Sequence, residues 1–323
     1  MKSAIRLSLL SMLLPLALPA AAQPYPNKPV RMVVPFAPGG STDIMSRLTA
    51  QQMSTSDTFG QQLIVDNRPG VSGIVGMEIV AKAQPDGYTV LVSSLAITVN
   101  PSLYKTLPFD ADKSFTPVTL IGTNAGILVL HPSVPAKSLP EFIAYAKANP
   151  GKLNFGSGGP GTTPHLASEM FKTMAGIQVT HIPYKGGGQS VSALLGGELQ
   201  FIIESIPQLS PFIKAGKLRA LAVSDLKRSP LMPELPTLDE SGLKGYSMVG
   251  WNGMFVPAGT PRAVIDKLHA EVVKALAAPA IKERFAALGA DISGSSPKEF
   301  AAFVKDERAK WAKVVKEAGI KVE

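Results

Sequence analysis

Between Val30 and Leu48 the chain reads V-R-M-V-V-P-F-A-P-G-G-S-T-D-I-M-S-R-L, and this stretch limits the possible folds most sharply. Val30, Val33 and Val34 suit a buried strand, which Pro35 and Pro38 end. Gly39 and Gly40 permit a tight turn whose backbone N–H groups face a ligand. Ser41 or Thr42 is the expected N-cap of a helix, with Ile44, Leu48 and Gln51 on helical spacing. Such a strand-to-helix turn can hold an anion, because a helix start offers unpaired N–H donors and partial positive charge. A well-capped turn without any ligand explains the same residues.

The segments that follow alternate between strand and helix patterns. Leu63-Ile64-Val65 predicts a second strand, Ile74 to Ala83 a helix, and Tyr88 to Val92 a third strand ending in Ser93-Ser94. That rhythm belongs to a parallel sheet with crossover helices. Ligands of such sheets sit beyond the carboxyl ends of the strands, so Gly39–Thr42 and Ser93-Ser94 are expected on one rim. Val118–Ile121 and Ile127–Leu130 predict a further apolar strand, and Ser138 to Ala148 a helix with Ser138 and Glu141 at capping-box spacing. Leu153 to His165 then repeats the first device, with a short strand, glycines, hydroxyls and a helix start. Thr163 is its expected cap and Pro164 its first helical residue. Leu166, Met170 and Met174 recur at spacing four and are assigned to the core, and Gly176 closes the helix.

Gln178–Ile182, the Pro183–Gly188 turn and a helix over Val191–Leu195 continue the pattern, and Leu199–Ile203 predicts a strand with Glu204 at its end. A short helix over Pro211–Ala215 and a strand over Leu218–Val223 follow; residues 225–247 are proline-rich and read as irregular. Trp251–Val256 predicts a strand in which Trp251 and Phe255 pack at the hinge and in the core. Val264, Leu268 and Val272 then mark one helix face, and helices over Ala280–Leu288 and Pro297–Lys316 finish the chain.

Compartment and class follow from the N-terminus and the composition. Lys2 and Arg6, the apolar run Leu9–Leu18 and Ala20-Ala21-Ala22 form a secretory signal peptide over residues 1–22, cut before Gln23, and the run is too short for a membrane anchor. With no cysteine there is no disulfide, thiolate nucleophile or lipid-modified Cys. A periplasmic location is expected. The formal charge of +8 suits an anionic ligand, but Lys and Arg are scattered and aromatic residues make up 7%, which argues against nucleic acid. The mature chain is long enough for two lobes. The economical arrangement places residues 23–124 plus 251–323 in lobe 1 and 125–250 in lobe 2, with two chain crossings that permit hinge closure on a ligand.

Several segments resemble a known family. Residues 25–43 (Y-P-N-K-P-V-R-M-V-V-P-F-A-P-G-G-S-T-D), D-N-R-P-G (66–70), A-Q-P-D-G-Y-T (83–89) and N-P-S-L-Y (100–104) look like the Bug-type solute receptors of tripartite tricarboxylate transporters. F-G-S-G-G-P-G-T-T-P-H-L (155–166), H-I-P-Y-K-G-G-G (181–188), G-K-L-R-A-L-A-V (216–223) and W-N-G-M-F-V-P-A-G-T-P (251–261) extend the likeness over the mature chain. The resemblance implies an α/β, two-lobed periplasmic binding protein of type II (Venus flytrap), each lobe a mostly parallel sheet flanked by helices. It further implies a monomer that captures a small organic carboxylate and delivers it to membrane transporter subunits, without cofactor or metal. The family's two gripping loops map to Phe36–Asp43 and Ser157–His165. Val71-Ser72-Gly73-Ile74 is bulkier than the family pattern, and Ile203-Glu204 stands where relatives commonly carry Phe-Asp.

The candidate ligand-binding residues are Phe36, Ala37, Gly39, Gly40, Ser41, Thr42, Asp43, Ser93, Ser94, Ser157, Gly158, Thr162, Thr163, His165, Lys185, Gly186 and Glu204. Neutral amide and hydroxyl donors suit reversible capture of a carboxylate. Asp43 either favours the helix dipole or meets an ammonium or hydroxyl of the ligand. His165 either donates to the ligand or makes a surface or hinge contact. Lys185 either lines the pocket or pairs with a carboxylate, and Glu204 either recognises a cationic group or is paired within its lobe. Ser157 lacks the first glycine of a Gly-x-Ser-x-Gly elbow, no phosphate-binding Gly-x-x-x-x-Gly-Lys-Ser/Thr loop exists, and the four His lack metal-ligand spacing. No catalytic residue is assigned. An α/β enzyme acting on a small carboxylate and a sensor receptor for signalling are the alternative readings.

Overall fold

A computed structural model describes residues 25–317 and 319–320; the signal-peptide reading lies outside them. Ten strands form one sheet in the order β2-β1-β3-β9-β4-β7-β5-β6, with β8 and β10 also paired to β4. β1 (Val30–Val34), β2 (Leu63–Asn67) and β3 (Thr89–Ser94) pair in parallel, joined by α1 (Ser41–Ser54) and α2 (Ile74–Ala81). β5 (Asn154–Ser157), β6 (Thr180–Pro183) and β7 (Phe201–Ser205) also pair in parallel, around α5 (Thr163–Ala175) and α6 (Gly187–Leu195).

Both faces of the sheet are covered, and strand alternation explains how. Met32, Val90, Val92, Met254 and Val256 pack on one side with Met45, Met53, Leu268 and Phe285. Their sequence neighbours Val33, Leu91 and Phe255 point the other way, toward Met77, Val80 and Phe300. In the second half, Ile127, Val129 and Ile202 face α6 and α7 (Ile206–Lys214), while Leu128, Leu130 and Phe201 face Phe142 and Phe171. Near-continuous apolar strands are the expected signature of burial on both faces.

The two apolar runs around Ile121 and Ile127 are one 16-residue strand, β4 (Phe115–Leu130). It pairs antiparallel with β9 (Val249–Pro257) as far as Ala125, then with β7 and β8 (Arg219–Val223) from Gly126 onward. Residues 123–126 are only half-buried where the strand passes from one half to the other. Ser224 ties this crossing to the second one: its Oγ accepts from Gly126 N at 2.8 Å and donates to Met248 O at 2.6 Å. The C-terminal α10 (Pro297–Glu317) returns to the first half, where Phe300 lies 5.0 Å from Phe255 and 5.9 Å from Trp251. Gly253 makes this approach possible, since a Cβ there would fall 2.0 Å from Phe300 Cζ.

Several local expectations are corrected. α1 starts at Ser41 with Gly40 as N-cap, and its buried stripe is Thr42, Met45, Ser46, Thr49 and Met53, one step round from Ile44 and Leu48. The cap of α5 is Thr162, which leaves Thr163 and Pro164 as its first two residues. Met174 is exposed and Met170 half-buried: the helix turns its Leu166–Ala167–Phe171 side inward. α7 begins at Ile206, five residues before Pro211, because Pro207 is tolerated in a first helical turn. α3 (Ala96–Leu103), with Pro101 inside it, and the short β10 (Ala290–Ile292) were not expected from the sequence.

Candidate functional site

The four segments that enter α1, α5, α6 and α7 converge. Gly40, Thr162, Gly186 and Ser205 are the respective N-caps, and none of the four makes a side-chain cap bond. Their first turns face a cavity of about 830 Å³ between the two halves of the sheet. Uncapped helix starts leave backbone N–H groups and partial positive charge directed into that space. The β4 crossing supplies its floor through Asn124 and Gly126.

Of the sequence-proposed residues, Phe36, Ala37, Gly40, Ser41, Thr42, Ser94, Gly158, Thr162, Thr163, Lys185, Gly186 and Glu204 line this cavity. Ser41 Oγ donates to Asn124 Oδ1 at 3.2 Å, and Thr162 Oγ1 donates to Gly159 O at 2.6 Å. Gly39, Asp43, Ser93, Ser157 and His165 do not line it. Ser93 fails for a geometric reason, since adjacent strand residues face opposite sides and only Ser94 meets the cavity.

Asp43 and His165 stand behind the loops they were expected to share. Asp43 is buried, and its carboxylate accepts from Gly39 N at 2.9 Å, Asn67 Nδ2 at 2.9 Å and Arg47 Nε at 3.1 Å. Burial pushes that carboxyl up, but the hydrogen bonds from Arg47, Gly39 and Asn67, with Arg47's charge, hold it below the usual carboxylate range. Asn67 also donates to Phe36 O at 3.0 Å, so one polar cluster fixes both ends of the first loop. In the second loop, His165 Nδ1 accepts from Gly161 N at 3.1 Å. Ser157 Oγ accepts from Gly159 N at 3.1 Å and bonds His181 Nε2 at 2.7 Å. The two imidazoles lie 4.3 Å apart. Burial, the neighbouring His181 and Lys172 lower His165 to about 3, and burial with Lys172 lowers His181 to about 4. Both rings are therefore neutral props at neutral pH.

The cavity carries two charged side chains, Lys185 at the exposed rim and Glu204 inside. Glu204 is 8% exposed, and its Oε1 accepts from Ser205 N at 2.8 Å. Burial outweighs the bonds from Ser205 and raises its carboxyl to about 7.

Sequence reasoning missed the contacts that bridge the halves. Ser72 Oγ donates to Pro160 O at 2.5 Å and lies 2.6 Å from Tyr104 Oη, while Asn100 Nδ2 donates to Ser72 O at 3.1 Å. Gln208 Nε2 donates to Gly39 O at 3.0 Å from the opposite side. Val71 and Ser72 hold φ of 45° and 56°, a conformation that costs non-glycine residues energy and that the bridging bonds offset. The D-N-R-P-G segment marked a turn here, but nothing in it signals a partner 88 residues away.

Comparison with known proteins decides the lineage. The model of the tripartite tricarboxylate transporter family receptor matches residues 45–320. The chain belongs to that family. BugT of Bordetella pertussis is 38% identical over 309 residues, covering 95% of this chain and 94% of BugT. The solved structure of the periplasmic binding protein BugD superposes with a TM-score of 0.87 at 37% identity, covering 92% of this chain and all of that one. R. palustris Rpa4515 with adipate gives a TM-score of 0.88 at 36% identity, again over 92% of this chain and 100% of that one. The fold of this family member is thus the two-lobed periplasmic binding-protein fold, an α/β sheet flanked by helices. Proteins of this kind bind solutes, and its structural neighbours are binding proteins.

Proposed function

We propose that this family member is a periplasmic receptor that captures a small organic carboxylate by closing two lobes on it and delivers it to membrane transporter subunits. Residues 23–124 with 251–323 form one lobe and residues 125–250 the other, and the receptor works as a monomer. One observation carries this reading: four helix starts without side-chain caps, Gly40 from the first half and Thr162, Gly186 and Ser205 from the second, open on one cavity. Neutral N–H donors hold a carboxylate reversibly, and each hydrogen bond to the charged group contributes about 1.5–3 kcal/mol. The adipate in the R. palustris neighbour is a carboxylate of the size such a cavity accepts.

Closure follows as a population shift. A ligand held by both halves favours the form in which both are in reach, and the Ser72–Pro160 and Gln208–Gly39 bonds join the same two halves. An enzymatic reading draws on Ser157 and His181, which lie at nucleophile–base distance, but Ser157 is fully buried and its Oγ is bonded within the loop. The protein is therefore taken as a binder and not a catalyst. Mass spectrometry of the natively purified protein, followed by a thermal-shift screen of organic acids, tests the reading. A carboxylate ligand raises the melting temperature, and the rise grows with the logarithm of its concentration above the dissociation constant. If no organic acid co-purifies and none shifts the melting temperature, the receptor reading is wrong.

A further inference from the structure

Glu204 sits in a chemically unusual place for a pocket that holds carboxylates. It is 92% buried, it lines the cavity, and no Lys, Arg or His forms an ion pair with it among the described residues. Its Oε2 lies against the start of α6, close enough that a Cβ on Gly187 would come within 2.7 Å of it. That helix start favours the ionised carboxylate. The same hypothetical Cβ would lie 3.2 Å from Gln208 Oε1. Gln208 Nε2 donates to Gly39 O at 3.0 Å, and its Oε1 accepts from Ser205 Oγ at 3.4 Å, beside Glu204. Two acceptors thus gather at one wall, while the α1 and α5 starts present donors. A buried, unpaired anion is costly unless a cation or a strong donor completes it.

Resting on the receptor reading above, we propose that Glu204 is a specificity-determining residue that receives an ammonium group, so that the solute is a carboxylate bearing a protonated amine. The carboxylate end meets helix-start N–H groups, and the amine end meets Glu204 with Gln208 Oε1 beside it. Glycine at 187 keeps the space between α6 and the carboxylate open. A plain dicarboxylate would place a second anion against Glu204, and binding it would require a proton on that carboxyl.

The test uses calorimetry on the full mature protein with matched pairs: L-alanine and propanoate, L-leucine and 4-methylpentanoate, L-glutamate and glutarate. The expected result is that in at least one pair the amino member binds about tenfold tighter or more. Glu204→Gln, which keeps the volume and the acceptor for Ser205 N, is expected to bring that ratio to within about twofold. The parent ratio needs no variant, so a Glu204→Gln protein that fails to fold leaves the first arm decisive. If propanoate, 4-methylpentanoate or glutarate binds and no amino member is preferred, or if the ratio survives in Glu204→Gln, the Glu204 assignment falls and the receptor reading stands. Absence of binding by every organic acid in this panel and in the thermal-shift screen removes both.

Discussion

The two glycine loops that flank the cavity look alike in sequence and are held by opposite chemistry. Each follows a parallel strand, contains consecutive glycines and opens a helix whose N-cap lacks a side-chain bond. Behind the first loop stands a buried carboxylate, Asp43, ionised and bonded to Gly39, Asn67 and Arg47. Behind the second stand neutral groups, His165 on Gly161 and Ser157 with His181 on Gly159. A loop can be preorganised by charge or by neutral acceptors, and the choice sets how it responds to acid and to substitution.

Asp43→Ala is expected to have the largest effect. It leaves Gly39 N without its acceptor, Asn67 Nδ2 with Phe36 O alone and Arg47 without its carboxylate, and is expected to cost about 2–4 kcal/mol in denaturant unfolding. His165→Ala removes one acceptor from Gly161 N and is expected to cost about 1–3 kcal/mol by the same measurement. A larger penalty for His165→Ala than for Asp43→Ala would overturn the contrast.

Acid separates the loops by pH. The folded His165 and His181 values of about 3 and 4 lie below the unfolded value of about 6.5, so unfolded chains take up protons first. Stability is therefore full above about pH 6.5 and falls as pH drops toward 4 and then 3, most steeply while both rings contribute. Asp43, whose folded value is lowered, supplies stability above the ordinary carboxylate value that is lost only as pH falls through its own lower one. Urea midpoints between pH 7 and 4 in the parent and in a His165→Gln, His181→Gln double variant measure this; an unchanged slope in the double variant would rule out the histidines as its source.

The loops also differ in room. A Cβ on Gly158 would lie 3.0 Å from Gly187 N, whereas one on Gly40 would have only Ala37 O at 3.9 Å. Gly158→Ala is expected to cost about 1–3 kcal/mol and to weaken ligand binding, and Gly40→Ala to stay within about 0.5 kcal/mol. Ser72→Ala is the mildest change at the bridge: losing the bond to Pro160 is expected to shift closure by about 1 kcal/mol, a roughly fivefold weaker affinity with the fold intact. Matching affinities for Ser72→Ala and parent would show that the bond contributes nothing to closure.

Much of the fold was readable because its signals are local. Alternating apolar strands, the Ser138–Glu141 cap and the Gly176 helix end act within a few residues and recur in the structure. α7 was found only from Pro211 onward, because a proline reads as a helix start, and α3 was not expected at all; the structure holds Pro211 and Pro101 inside these helices. The candidate site was half legible for a similar reason. Glycine-hydroxyl loops announce themselves, so Gly40, Thr42, Gly158 and Thr163 were found at the cavity. Asp43 and His165 were placed a layer too far forward, since spacing identifies a loop and not the side its flanking polar groups face.

From the chain alone came the βα alternation, the twin loops and the family likeness, because strand period, glycine turns and helix starts depend on neighbours within one or two turns. Only the tertiary structure joined the runs around Ile121 and Ile127 into β4, brought Ser72 to Pro160 and Gln208 to Gly39, and left Glu204 buried with no cation paired to it among the described residues. Those contacts join residues tens to more than a hundred positions apart, and their energies exist only once two separately packed halves face each other across a shared strand.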